Sequence, residues 1–164
     1  MNEDVSWFNA LGDDEAERRL LECCGSRAWA GAVAARRPYA DFAALVTESD
    51  SIWNELTPTD WLEAFAAHPR LGESGGHTPQ SSQKEQSRIM DAGEETLDAL
   101  ATENRRYEAR FDHVFLISAA GRTAAEVLAV LRRRIDNDAQ TEMKVAAEEQ
   151  RKITRLRLER MLQR

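Results

Sequence analysis

The residues best suited to chemistry in this chain fall in one stretch, His68 to Gln86, reading H-P-R-L-G-E-S-G-G-H-T-P-Q-S-S-Q-K-E-Q. It sets a His-Pro at a helix end, then a loop carrying Gly72, Gly75 and Gly76, then Ser82-x-x-Glu85-Gln86 at the head of the next helix. An imidazole, a carboxylate and an amide thus meet at two helix termini joined by a loop, which is one way to build a small polar pocket from helices. A helix C-terminus favours the charged form of His68, and apolar burial disfavours it. That balance can leave a proton donor poised near neutrality, as general acid catalysis needs. A structural histidine on an apolar face fits the same pattern. Glu85 also has two readings, because Ser82-x-x-Glu85 is a capping box that explains both residues without chemistry. Gln86 is not explained by capping. Its amide offers a donor and an acceptor to a urea-like or heterocyclic ligand, and the N–H groups of the same helix start can hold a carboxylate. Arg157, at the edge of an apolar stripe, either pairs with a carboxylate of the protein or fixes one on a ligand.

Other chemistries lack their motifs. His77 lies in the glycine loop and His113 precedes an apolar run, so the three histidines show no metal-ligand spacing. There is no phosphate-binding glycine loop, no cysteine nucleophile with a partner and no nucleophile elbow. Spacing alone leads to a small-molecule pocket near His68 and Glu85.

The elements that must position these groups read as helices. Trp7 to Leu11 predicts a short first helix ended by Gly12. Asp13 or Asp14 caps a second, with Ala16, Leu20 and Cys24 on one face, closed by Gly25. Ser26 caps a third carrying Trp29 and Val33, and Pro38 starts a fourth with Phe42 and Leu45 inward. Thr57-Pro58-Thr59-Asp60 is a strong helix start. Trp61, Phe65 and His68 then share one face, and Pro69 ends the helix at His68. The next helix begins near Pro79 or Ser82 and runs through Ile89, Leu97, Leu100, Asn104, Tyr107 and Phe111, with a break at Gly93. Val114 to Ile117 reads as a buried extended segment. Thr123-x-x-Glu126 is a second capping box, opening a helix with Val127, Leu128, Leu131 and Ile135 inward that ends at Asp136-Asn137-Asp138. A last helix covers Ala139 to Leu162, with Met143, Ala147, Gln150, Ile153, Leu156 and Met161 as its inner stripe. The fold class is all-α: one domain, residues 1–164, of about eight helices.

Composition agrees. The 164 residues carry four Trp and five Phe for a core, and only eight Gly and four Pro to interrupt helices. A net charge of −7 argues against a general binder of nucleic acid or anionic membranes. No apolar stretch approaches membrane-spanning length. Cys23 and Cys24 are sequence neighbours, poorly placed to pair, and read as core residues in a reducing compartment. The acidic N-terminus is not a secretion signal and Met-Leu-Gln-Arg at the C-terminus is not a peroxisomal address, so a cytoplasmic location is expected.

At these residues the chain resembles a known family. His68-Pro69-Arg70-Leu71-Gly72, Ser82-Gln83-Lys84-Glu85-Gln86-Ser87, Asn104-x-x-Tyr107-x-x-x-Phe111, Phe115-Leu116-Ile117-Ser118-Ala119 and Lys152-Ile153-x-x-Leu156-Arg157-Leu158 occur in the order found in the 2-oxo-4-hydroxy-4-carboxy-5-ureidoimidazoline (OHCU) decarboxylases of urate breakdown. Arg37-Pro38-Tyr39 also fits, and the likeness spans about residues 5 to 162. It implies an all-helical homodimer without metal or organic cofactor that converts OHCU to (S)-allantoin. On that resemblance His68 is the catalytic acid. Glu85 orients the substrate hydroxyl or the histidine, and Arg157 assists from the last helix. Pro69, the run Ser82, Gln83, Lys84, Glu85, Gln86 and the run Phe115, Leu116, Ile117, Ser118, Ala119 line the substrate site. One departure stands out: the family commonly has Phe-Gly-Phe where this chain has Phe111-Asp112-His113, which places a charge and a ring near the pocket wall. Two other classes fit part of the pattern: a catalytically silent helical module that binds a purine-derived ligand, and a metal-dependent hydrolase using His68, His77 and His113.

Overall fold

The computed structural model describes residues 4–72 and 85–163. Among them are nine helices and no strand: α1 (Ser6–Asn9), α2 (Asp13–Cys23), α3 (Arg27–Ala35), α4 (Phe42–Glu55), α5 (Pro58–Ala66), α6 (Ser87–Met90), α7 (Glu94–Phe111), α8 (Ala124–Arg134) and α9 (Ala139–Leu162). The all-α class holds. The count exceeds the expected eight because α6, a single turn, stands apart from α7 at the Gly93 break, where Gly93 takes the extended N-cap conformation. None of these helices is long and apolar enough to cross a membrane.

The chain divides into two compact units. One comprises Met1–Ala67 with Gln150–Arg164, the other His68–Glu149.

In the first unit, the starts of α3, α4 and α5 are set by side-chain caps. The Ser26 hydroxyl accepts from the Trp29 N–H at 3.2 Å and opens α3. Thr57 and Asp60 form a reciprocal capping box, with Pro58 at the first position of α5. Two expected starts move. Gly12, not an aspartate, is the N-cap of α2, and Asp13 and Asp14 occupy its first turn, where they complement the helix dipole. Pro38 does not start α4. Asp41 does, accepting from the Ala44 N–H at 2.8 Å. Residues 37–39 are instead a tether. Arg37 donates to the Phe8 and Leu11 carbonyls at 2.8 and 2.7 Å, at and just beyond the end of α1, and Tyr39 exchanges two 2.9 Å bonds with the Asn9 side chain. Phe8, Leu20, Trp29, Leu45, Phe65 and Leu158 are fully buried. Cys23 and Cys24 are buried free thiols, as expected of core residues.

The second unit surrounds a hydrophobic cluster that includes Leu71, Ile89, Leu100, Tyr107, Phe115, Ile117, Ala119, Val127 and Leu131. Thr123 and Glu126 form the expected capping box of α8. That helix ends at Arg134, slightly before the expected Asp136. Val114 to Ala119 is neither helix nor strand, and Phe115, Leu116, Ile117 and Ala119 are buried.

The inner stripe of α9 differs from the expected one. Ala147, Gln150 and Ile153 are buried as expected, but Met143, Leu156 and Met161 are only half-buried. Glu142, Ala146, Glu149 and Thr154 are buried instead. Apolar periodicity places carboxylates outside, and here two of them are drawn inside by specific partners.

Candidate active site

His68 is half-buried and lies one residue past the Ala67 C-cap of α5. The last helical residue is Ala66, and Ala67 keeps a right-handed backbone, so the helix stops two residues before the expected His68. Pro69 is also half-buried. The three residues after it are each held by a separate partner. Arg70 forms a two-pronged pair with Glu108, at 2.7 and 3.0 Å. The Leu71 carbonyl accepts from Asn104 Nδ2 at 3.1 Å, and the Gly72 N–H donates to Gln86 Oε1 at 2.9 Å. Asn104 and Glu108 are one turn apart on α7, so one helix face grips two consecutive residues of the loop. Asn104 is the polar residue that the apolar face of α7 left unexplained. It is 3% exposed, and its bond to Leu71 is the reason it is there. Gly72 has φ +82°, and a Cβ there would lie 3.1 Å from Leu100 Cδ2, so the turn needs glycine both for conformation and for space.

Glu85 and Gln86 are both buried at the head of α6, at 9% and 6% exposure. The Gln86 amide closes the loop back toward the His68 segment through Gly72, a structural duty besides any ligand contact. Ser82, Gln83, Lys84 and His77 lie outside the described residues, as does the Ser82–Glu85 capping box. Ile89 of α6 is fully buried in the same cluster as Leu71, Phe115, Ile117 and Ala119, and Arg88 donates to the Gly121 carbonyl just beyond the Phe115–Ala119 segment. The loop after His68, the helix headed by Glu85 and Gln86, and the Phe115–Ala119 segment therefore share one core. Arg157 belongs to the other unit. It is half-buried on α9, near enough to Cys23 and Cys24 for its charge to favour their ionised forms.

The Phe115–Ala119 segment is supported by groups that sequence reasoning missed. Arg134 donates to the Leu116 carbonyl at 2.7 Å, and its guanidinium lies 4.4 Å from the Phe115 ring centroid. Glu142 faces it with both oxygens, at distances down to 2.6 Å. The Glu142 carboxylate also accepts from the Tyr107 hydroxyl and from Asn137 Nδ2. Burial, reinforced by that bond to Glu142, pushes the Tyr107 hydroxyl well above the usual phenol range. Glu149 Oε1 accepts from the Ser118 N–H at 3.0 Å, and the Ser118 carbonyl accepts from Arg122 Nε at 3.0 Å. A signal for the two glutamates was present: Glu142, Ala146, Glu149 and Ile153 fall at i, i+4, i+7 and i+11, an inward line on α9. His113 packs on Tyr107 and stacks on Phe111, with ring centroids 5.5 and 6.2 Å apart, which places it in this aromatic group.

Comparison with known proteins fits this arrangement. Residues 9–159 match the OHCU decarboxylase family. The chain belongs to the OHCU decarboxylase family. It is 36% identical over 157 residues to the uric acid degradation bifunctional protein TTL of Arabidopsis thaliana, covering 92% of this chain and 47% of that protein. A 2-oxo-4-hydroxy-4-carboxy-5-ureidoimidazoline decarboxylase of Haloferax volcanii is 25% identical over 152 residues, covering 92% of this chain and 90% of that one. The uric acid degradation bifunctional protein of Bacillus sp. (strain TB-90) matches over 25% of its length, so this OHCU decarboxylase family chain spans half or less of the bifunctional relatives. Among solved structures, a crystal structure of OHCU decarboxylase in the presence of (S)-allantoin superposes with a TM-score of 0.80 at 33% identity, covering 94% of this chain and all of that one.

Proposed function

We propose that this chain removes carbon dioxide from OHCU to give (S)-allantoin, with His68 as the acid that protonates the ring carbon. The observation that carries the reading is the convergence, in one core, of the His68 loop, the Glu85–Gln86 helix head and the Phe115–Ala119 segment. When the carbon–carbon bond to the carboxylate breaks, its electron pair flows into the adjoining imine and leaves an enol; the proton then goes to the neighbouring ureido-bearing ring carbon while the hydroxyl becomes the carbonyl of allantoin. The protein's part is then to orient the carboxylate out of the ring plane, to donate hydrogen bonds to the developing anion, and to deliver a proton to one face. Gln86 suits the ureido and ring amides, and Glu85 orients the hydroxyl or the imidazole. Ser82, Gln83 and Lys84 complete that wall, Pro69 packs beside the ring, and Arg157 assists from α9. A single domain over residues 1–164, a homodimer and a cytoplasmic location complete the proposal.

The test monitors freshly made OHCU by circular dichroism. Accelerated decay to optically active allantoin is the expected result. Decay at the uncatalysed rate would overturn the enzyme reading and leave a binding module. His68→Ala should abolish stereospecific product while leaving helicity intact, and full activity in that variant would remove the proposed acid. Glu85→Gln should lose most turnover. If it only lowers the melting temperature, Glu85 serves the helix start instead.

A further inference from the structure

The Phe115–Ala119 segment is buried without the ladder or helix that ordinarily satisfies peptide groups. From Leu116 to Ser118 its partners are charged side chains. Arg134 takes the Leu116 carbonyl, Glu149 the Ser118 N–H, and Arg122 the Ser118 carbonyl. These bonds fall on residues two apart, the spacing at which an extended chain turns its peptide groups to the same edge. Among the described residues the N–H of Ile117, which lies between them, has no acceptor. The Ala119 carbonyl, at the end of the segment, accepts from the Arg122 N–H at 3.0 Å, so it is over Leu116–Ser118 that the anchoring falls along one edge.

Buried charges are a poor way to gain stability, since apolar residues of similar volume often do as well or better. Here the charge is doubly secured. The Arg134 side chain is 7% exposed and Glu142 is fully buried, and Tyr107 and Asn137 occupy the remaining positions on that carboxylate. A guanidinium fixed by a carboxylate fork cannot swing away from the Leu116 carbonyl. Glu149, on the same face of α9 one heptad after Glu142, reaches the Ser118 N–H.

We infer that Glu149, backed by the Arg134–Glu142 pair, is a positioning residue: it fixes the anchored edge of Phe115–Ala119 so that the opposite edge, centred on the Ile117 peptide, is held rigid for a flat, amide-bearing ligand. This rests on the reading of that segment as part of the OHCU site. Glu149 need not touch the ligand. Its effect passes through the Ser118 peptide.

The test compares Glu149→Ala with Glu149→Gln, since the Gln amide oxygen can still accept from the Ser118 N–H. In Glu149→Ala, KM for OHCU should rise at least tenfold and kcat fall less. The optical purity of the allantoin should drop at enzyme concentrations where catalysed decay outruns the uncatalysed reaction. Glu149→Gln should recover most of kcat/KM. Wild-type kinetics in a folded Glu149→Ala protein would overturn the proposal, and so would equal loss in both variants, which would assign the role to charge. Should Glu149→Ala fail to fold, the paired change Arg134→Met with Glu142→Leu removes the other anchor without stranding a charge, and an unchanged KM there would also overturn it. An inactive wild-type protein would instead sink the decarboxylase reading itself, so the two failures are separable.

Discussion

Asp112 stands where the family commonly has glycine, and the backbone explains the difference. It is the C-cap of α7, with φ 64° and ψ 23°, the left-handed conformation that closes many helices. Glycine adopts it without cost, and aspartate is among the few other residues that tolerate it. Asp112→Gly should therefore raise unfolding stability by up to about 1 kcal/mol, the part of the left-handed penalty that aspartate still carries, and Asp112→Val should lower it by roughly 1–2 kcal/mol. Denaturant titration monitored at a helical wavelength checks both. Equal stability of all three proteins would mean that the cap relaxes when its residue changes. At this scale the sequence was partly legible. His68, Gln86 and the Phe115–Ala119 run could be singled out because ring, amide and apolar run stand out from amphipathic helix. Arg134, Glu142 and Glu149 are harder to single out, because a charged side chain on a helix reads as surface until its buried partner is known, and only the line from Glu142 to Ile153 hints otherwise. Asn104 is a polar residue on an apolar helix face, but its duty to the Leu71 carbonyl exists only in three dimensions.

Elements were legible where their signals are local. The Ser26 cap, both capping boxes and the Gly93 break each depend on residues within one turn, and each is present. Pro38 misled because a distant contact decides its neighbourhood: Asn9 captures Tyr39, and the helix waits for Asp41. The stripe of α9 misled for the same reason. Close packing between elements also yields a prediction at Gly25, between α2 and α3. A Cβ there would sit 2.7 Å from the Ala67 Cβ and 3.7 Å from the Ala64 Cα, so the end of α5 leans on a position with no side chain. Gly25→Ala should destabilise the protein by about 1–3 kcal/mol through overpacking. A melting temperature equal to that of the parent would mean α5 can retreat without loss.

For the whole molecule, the all-α class was readable from helical periodicity and few breakers. The division after Ala67 was not, since no change of composition marks it and only the distribution of contacts does. The buried thiols give the molecule an alkaline limit. Burial pushes Cys23 up to about 12 and Cys24 up to about 11, from an ordinary 9.0. Below pH 9 both thiols are protonated whether the chain is folded or not, and their contribution is fully present. Above pH 9 the unfolded chain releases these protons and the folded one keeps them, so stability falls as pH rises toward 11 and 12. Tyr39, pushed up to about 12 by burial, adds to the decline above its ordinary 10.0. Denaturation midpoints measured from pH 8 to 11 should fall steadily beyond 9, and the Cys23→Ala, Cys24→Ala double variant should give a shallower slope. A parallel slope would show that other groups set the limit.

The helix α9 gives its first half to one unit and its second half to the other. His68–Glu149 is an unbroken run of chain, complete in itself once residue 149 has been made. The remaining unit joins segments on either side of that run, so a growing polypeptide must hold Trp29, Phe65 and their neighbours without the side chains of Ile153, Leu158 and Leu162 until synthesis reaches them. Birth order on the ribosome thus favours the half carrying His68, and the burden of waiting, with its risk of aggregation, falls on the tryptophan-rich half.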